Sequence, residues 1–564
     1  MSQAAPSLVS GPLGSSRPAR GSRALTVFFL AVSFLISLAF LSVRNIYDDE
    51  YSSLAYVNSS IPQIIHTANS GDVHPPGMYL LDHFAYQAIP SPRWMTLFTL
   101  LVLYAGLWVF VFAIAPLFAA TRGRVCFLLL ATLHPQLLMW GNTIRWYGWW
   151  TGLALLTLTF ALQPAPSSLK PRITTLRSLL LGLLLACLFY INYITLIFLL
   201  ALGLAMLLRY SWRAWKQYLL AFAVFLPLIA PQLHAFLTVH SAGGRGQRSG
   251  FLLSVARLVE ATFCSEAYLP WHPLAVLAAL AFFFLAMVGV RQAVRLLRAP
   301  TASPAHWAAC NSLAAIVLFS LAFFVLVAFS GLGGKPRNGL LLLPVLAPLI
   351  ALLVETLRPL FVQYAFIGFF GLWSAVGIEH LLRREGLTKS NMNNRPEQVV
   401  SFVRDSRGPD CSVVVTYDAL LTLNLSTSNL PRLLILTPFQ NSVYQRTRPF
   451  IPAECQRMDL YLVRSYTGGL GDAGSILTAE MDGEASTLRG SFETHPFSLD
   501  PDAARKRKLS FIGGASDLPD YRYIVISTPV APSSLNAILR QLPHFSVADG
   551  QSKPVAASSA ATAP

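Results

Sequence analysis

The chain is expected to be a polytopic α-helical membrane protein of about 11 transmembrane helices with a small C-terminal exoplasmic α/β domain. Three observations predict it. Of its 564 residues, 54% are hydrophobic and only 12% charged, and the mean hydropathy is +0.53, a value that soluble proteins of this size rarely reach. Apolar runs recur at lengths that suit a bilayer crossing. The short loops between them carry Lys and Arg on alternate sides, as the positive-inside rule requires.

Residues 1–23 read as a disordered basic cytosolic lead, rich in Ser, Pro, Ala and Gly and carrying Arg17, Arg20 and Arg23. Residues 24–380 form the transmembrane domain. Crossing the hydrocarbon core in a helix takes about 20 residues. Candidate runs lie near 24–43, 94–119, 124–141, 147–162, 175–191, 193–209, 218–236, 272–290, 308–330, 339–357 and 360–379. No Ala-x-Ala cleavage site follows the first run closely, so it is expected to stay as a span and not to be removed as a signal.

The basic lead puts the N-terminus in the cytosol. The cytosolic loops then hold Arg122 and Arg124; Lys170, Arg172 and Arg177; Arg209, Arg213 and Lys216; and Arg291, Arg295 and Arg298. The outer loops hold the acidic residues, with Arg145, Arg245, Arg248, Lys335 and Arg337 as exceptions, and charges that break the rule often mark function. An odd number of spans places residues 381–550 outside the cytosol. There Ser412–Thr416, Leu433–Leu436 and Tyr523–Ile526 read as short strands, and Pro396–Arg404 as a helix before the first. Residues 551–564, Ala- and Ser-rich, are expected to be disordered.

The net charge of +16 does not indicate nucleic acid, because the cations are loop residues between apolar runs. The six cysteines form no CxxC pair, so no zinc or redox motif is indicated. Cys411 and Cys455 either pair in an oxidising compartment or remain thiols.

The chemistry is concentrated on the outer side. The first outer loop opens with Asp48-Asp49-Glu50 and continues to His74-Pro75-Pro76-Gly77. Consecutive carboxylates at a membrane surface suit a general base, because like charges raise the pKa of one of them. Asp49 is the expected base, taking the proton of an acceptor hydroxyl, with Asp48 and Glu50 tuning it or positioning the acceptor. The two prolines stiffen the turn that holds His74, and the apolar stretch Met78–Ala88 beyond it suits a short interfacial helix. Arg145 ends a span on the side where cations are disfavoured, and a guanidinium suits phosphate oxygens. The Gly-rich loop 331–338 adds Lys335 and Arg337 as a clamp for a phosphate leaving group. Asp48, Glu50, Asp72 and His74 are oxygen and nitrogen donors, but no spacing fixes a ligand geometry, so no metal is assigned. No cofactor is expected.

These residues resemble the GT-C superfamily of membrane glycosyltransferases, in the branch of the dolichyl-phosphate-mannose protein mannosyltransferases and the RgtA/B/C/D-like and aminoarabinose transferases. Asp49-Glu50 matches an Asp-Glu pair after the first span, and His74-Pro75-Pro76 the His-Pro-Pro element that follows. Arg93 stands where an Arg opens the next span. Arg145-Trp146-Tyr147 matches an aromatic-flanked Arg-x-Tyr, Asn192-Tyr193 a polar-aromatic patch, and Lys335-Pro336-Arg337 a late basic loop. Asp48 is an extra acid beside the pair, and Asn338 stands where a Tyr is common.

The resemblance covers most of residues 24–360. It implies an inverting transferase with Asp49 of the pair as base and His74, Arg93, Arg145, Tyr147, Lys335 and Arg337 around the substrate. It implies a polyprenyl- or dolichyl-phosphate sugar donor, a glycan, lipid or protein acceptor, and residence in a bacterial inner membrane or the endoplasmic reticulum membrane. The alternative is a lipid or sugar transporter or flippase without transferase activity; few mid-span charges and no evident repeat speak against it.

Overall fold

The computed structural model describes residues 20–44, most of 50–162, 171–207, 212–241, most of 304–383, 396–406, the strands named below and isolated positions elsewhere. The membrane part is a helix assembly. Its elements are α1 (Arg20–Val43), α2 (Ile61–Gly71), α3 (Pro76–Ala88), α4 (Pro92–Ile114), α5 (Thr121–Thr132), α6 (Pro135–Gly141), α7 (Trp146–Leu162), α8 (Pro171–Ile191), α9 (Thr195–Leu207), α10 (Trp212–Ser241), α11 (Pro304–Phe329), α12 (Leu342–Thr356) and α13 (Leu360–Leu382).

Among the described residues, five segments are long and apolar enough to cross a membrane: Arg23–Val43, Pro92–Leu117, Tyr218–Thr238, Ser312–Phe329 and Leu360–Leu382. Thr175–Ile191, Thr195–Met206 and Leu342–Glu355 are shorter apolar helices. The span expected near 272–290 lies outside the described residues. The run 124–141 does not form one helix. It breaks at His134-Pro135 into α5 and α6, because Pro135 removes a backbone donor and its ring clashes with a preceding turn. The His134 ring then caps α6 by accepting from the Gln136 backbone N–H at 3.1 Å.

Helix association in lipid has little hydrophobic drive, so small residues and polar contacts do the joining. Gly106 of α4 meets Gly152 of α7 so closely that a Cβ at either position would strike the other helix's backbone. The Tyr104 hydroxyl of α4 bonds Ser33 (2.6 Å) and Ser37 (2.9 Å) of α1. Trp150 of α7 donates its indole N–H to Thr195 of α9 at 2.8 Å and stacks on Phe323 of α11. Ser320 of α11 donates to the Val345 carbonyl of α12 at 2.8 Å.

Two helices lie outside this scheme of spans. At 13 residues, α3 is about 20 Å long and too short for the ~30 Å hydrocarbon core. It starts at Pro76 with Pro75 as its N-cap. Gly77 then lets it press against the Tyr190 carbonyl of α8, where a Cβ would collide. The 11-residue α2 buries Ile64 and Ala68 and exposes Ile61 and Ile65. Both helices hold the segment between α1 and α4 close to the bundle.

The C-terminal part is a mixed sheet of β1 (Cys411–Thr416), β2 (Leu433–Thr437), β3 (Met458–Ser465), β4 (Glu493–Ser498), β5 (Tyr521–Val530) and β6 (Ser546–Val547) in the order β4-β5-β3-β1-β2-β6. The central strand β1 is parallel to β2 and β3, while β5, β4 and β6 join antiparallel. A further helix, α14 (Pro396–Ser406), covers it through Val399, Val400 and Val403, which share a core with Val414, Ile435, Tyr461 and Val463. Cys411 is disulfide-bonded; Cys455 lies outside the described residues, as do Asp48, Asp49, Asp72 and Lys335.

Candidate active site

Helix α1 stops at Val43, and the next residue enters a buried ion pair. Arg44 donates from both terminal nitrogens to Glu50, each at 2.8 Å, in a two-pronged pair that is almost wholly buried. Arg44 also donates to Thr96 Oγ1 on the first turn of α4 at 3.1 Å. Glu50 in turn accepts from the backbone N–H of Ile144. One ion pair therefore fastens the segment after α1, the foot of α4 and the α6–α7 loop. A planar guanidinium matches a carboxylate in this geometry, and such pairs hold shape well.

Ile144 precedes Arg145, so the same contact fixes the candidate phosphate-binding residue. The α6–α7 loop is braced from within. Asn142 donates its side-chain amide to the Leu138 carbonyl at 3.0 Å, and Thr143 its hydroxyl to the Trp140 carbonyl at 2.8 Å. Arg145 is only 5% exposed. Behind it, on α3, lies Asp82, fully buried. Burial raises the Asp82 pKa from the ordinary 3.8 to about 7; Ser53, Arg145 and Trp149 pull it down and Glu50 pushes it up.

An aromatic wall extends from Arg145. Trp146 packs tilted against Tyr147 at 4.5 Å, and Tyr147 edge-on against Trp140 at 5.5 Å. The Arg337 guanidinium lies over one end and the middle of this wall, 5.3 Å from the Trp140 ring and 5.8 Å from Tyr147. On the other side the His74 ring faces Trp146 at 6.4 Å and its Nδ1 takes a 3.3 Å bond from the Asn192 amide. Asn192 sits in the break between α8 and α9, where its Oδ1 accepts from the Ile194 N–H at 2.8 Å. Its neighbour Tyr193 accepts from Gln232 at 2.6 Å.

Glu50, His74, Arg145, Tyr147 and Arg337 are therefore joined by a continuous series of contacts through Ile144, Trp146 and Trp140. Arg93 is apart from them: it is exposed on the first turn of α4, three residues before Thr96. Two members escaped the reading of the sequence. Arg44 is a cation just after the first span, six residues before Glu50, on the side the sequence assigns to the outside, and the charge rule alone flags it. Asp82 is a lone carboxylate within the apolar stretch Met78–Ala88. Among the described residues no cluster of three metal-ligating side chains occurs.

No protein-family model matches the chain, and no curated protein sequence matches it. Solved structures do. ArnT from Cupriavidus metallidurans in the apo state superposes with a TM-score of 0.50 at 13% identity, covering 90% of this chain and 98% of that one. The same protein bound to undecaprenyl phosphate gives 0.46 at 14% identity, covering 89% and 97%. The archaeal oligosaccharyltransferase AglB from Archaeoglobus fulgidus, in complex with an inhibitory peptide and a dolichol-phosphate, gives 0.41 at 13% identity over 69% of this chain and 62% of that one. At such identity the likeness is one of fold, and the apo ArnT superposition carries it. This chain shares the fold of the apo ArnT structure, a polytopic helical membrane protein, and has the small sheet described above, as the sequence implied.

Proposed function

We propose that this protein is an inverting membrane glycosyltransferase that moves a sugar from a polyprenyl-phosphate donor to an acceptor hydroxyl on the exoplasmic side. The observation that carries this reading is the pair of bonds at Glu50. They tie the residue next to Asp49 in the chain to the loop of Arg145, so base and phosphate binder share one anchor. Asp49 takes the hydroxyl proton as the acceptor oxygen attacks the anomeric carbon from the face opposite the phosphate. The bond from that carbon to the phosphate oxygen breaks, and the phosphate leaves with its electron pair. Asp48 lies on the other side of Asp49 and tunes its basicity. Glu50 positions both.

Arg145, Arg337 and Lys335 receive the departing phosphate charge. The wall of Trp140, Trp146 and Tyr147 offers apolar faces to the sugar or to the first isoprene units, and it keeps Arg337 in place. His74, steadied by Asn192, completes the donor's surroundings, and Arg93, apart from them on the exposed start of α4, meets the donor only as it approaches. The donor enters sideways from the outer leaflet, and the acceptor is a glycan, a lipid or a protein hydroxyl.

The disulfide at Cys411 supports an exoplasmic C-terminal domain, since such bonds persist where the compartment is oxidising. Residues 1–23 then form a cytosolic lead, 24–380 the catalytic membrane domain, 381–550 the outer domain and 551–564 a tail. The membrane is a bacterial inner membrane or that of the endoplasmic reticulum.

Comparing glycans and lipids of a strain lacking the gene with its parent tests the reading. A missing sugar, restored by the wild-type chain with inverted anomeric configuration relative to the donor, is the expected result. An unchanged profile, with sugar or lipid movement across proteoliposomes that needs no acceptor, contradicts it.

A further inference from the structure

Between the first outer loop and the start of α7 lies a set of polar side chains that the proposed reaction does not use. Asp82 of α3, Ser53 and Trp149 of α7 are all buried, and among the described residues neither Asp82 oxygen, the Ser53 hydroxyl nor the Trp149 indole N–H makes a hydrogen bond of normal geometry. Ser53 and Trp149 are nevertheless the hydroxyl and the indole N–H that address the Asp82 carboxyl. Trp149 follows Arg145 by four residues, about one helical turn, and both act on the Asp82 carboxyl. A buried carboxylate without formed hydrogen bonds holds its charge poorly unless a cation is near, and Arg145 is the cation within electrostatic reach.

We infer that Asp82 is a counter-charge built behind Arg145, ionised when the donor phosphate is absent and neutralised by a proton from water when that phosphate binds. This rests on Arg145 being the phosphate residue proposed above. The charge count gives the reason. Arg44 and Arg145 against Glu50 and ionised Asp82 make a neutral cluster. An incoming phosphate adds a negative charge to it in a buried setting. Taking one proton onto Asp82 restores neutrality, and the raised pKa of Asp82 makes that uptake accessible near neutral pH.

Asp82 is a positioning residue in this scheme, since it acts through Arg145. The other ionisable groups on neighbouring elements do not replace it. His66 of α2 and Arg93 of α4 are exposed, and the Tyr190 hydroxyl of α8 donates to the Leu228 carbonyl at 3.0 Å. His83, next to Asp82, bonds the Val57 carbonyl at 2.8 Å.

The test uses a short-chain prenyl methyl phosphodiester, whose single charge does not titrate between pH 6 and 8, binding to the full-length protein in detergent. Wild type is expected to bind about five- to tenfold more weakly at pH 8 than at pH 6, as one linked proton requires. Asp82→Asn, which mimics the neutral acid, is expected to bind at pH 8 about as tightly as wild type at pH 6 and to show almost no slope. Ser53→Ala is expected to move the wild-type midpoint to higher pH, because the hydroxyl favours the carboxylate. A wild-type affinity independent of pH overturns the inference without any variant, and so does an Asp82→Asn protein with the wild-type slope. Arg145→Gln separates the two levels. If it binds the probe as well as wild type, the phosphate role of Arg145 is wrong; if it binds weakly while Asp82→Asn keeps the slope, only the role of Asp82 is wrong.

Discussion

Arg44 and Glu50, six residues apart, close a buried two-pronged ion pair with both N–O distances at 2.8 Å. Glu50 also accepts from the Ile144 N–H, so its carboxylate braces the loop that carries Arg145. Substituting one partner leaves the other charge buried and alone. Arg44→Gln and Glu50→Gln are each expected to lower stability by about 3–5 kcal/mol, read as a loss of thermal midpoint in detergent. Arg44→Met combined with Glu50→Leu recovers much of that stability and leaves transfer impaired, because the anchor of the Arg145 loop is gone.

Gly77 touches the Tyr190 carbonyl through its bare Cα. In Gly77→Ala the added methyl has no room, and α3 must lift from α8 at a cost of about 1–3 kcal/mol. The bond between His74 and Asn192 lies at the same junction, so affinity for a prenyl phosphate falls along with the midpoint. A variant with wild-type affinity and midpoint contradicts the close fit.

Arg337 is held over Trp140 and Tyr147. Trp140→Leu removes the better ring and loosens the guanidinium, which is expected to weaken binding of a prenyl phosphodiester by about three- to thirtyfold at low salt. Arg337→Lys is not a mild change here, since an ammonium group neither stacks nor forks. Equilibrium binding across the two variants checks both statements.

Asp82 also sets a dependence of stability on pH. Its pKa is raised from 3.8 to about 7 by burial, so the folded protein holds this proton more firmly than the unfolded chain. The Asp82 contribution to stability is therefore greatest below pH 4 and declines as pH rises through about 7. Thermal midpoints of wild type and Asp82→Asn should diverge with rising pH, the variant falling less. Parallel curves contradict the assignment.

Much of the fold was legible in the residues. Long apolar runs such as 24–43 and 360–379 correspond to α1 and α13, since about 20 apolar residues admit few alternatives. The β-branched Val413-Val414-Val415 announced β1. Strand β3 was missed: Asp459 and Arg464 dilute its apolar character, and its Leu460, Tyr461 and Val463 become a buried run only when β1 and β5 flank it. The kink at His134-Pro135 was visible as residues, but hydropathy over 124–141 ran straight through it. At the site, the groups His74, Arg145 and Arg337 stood out by type and side of the membrane. Arg44 and Asp82 did not, because their meaning comes from partners 6 and 63 residues away that only the packing of α3, α4 and α7 brings near.

The central claim is that Asp49 removes the acceptor's proton beside a phosphate held by Arg145 and Arg337. Single-turnover transfer from a prenyl-phosphate sugar by Asp49→Asn tests it most directly, with donor binding measured on the same preparation. Transfer is expected to slow by at least about a hundredfold, with donor affinity within about twofold of wild type. Transfer at close to the wild-type rate contradicts it.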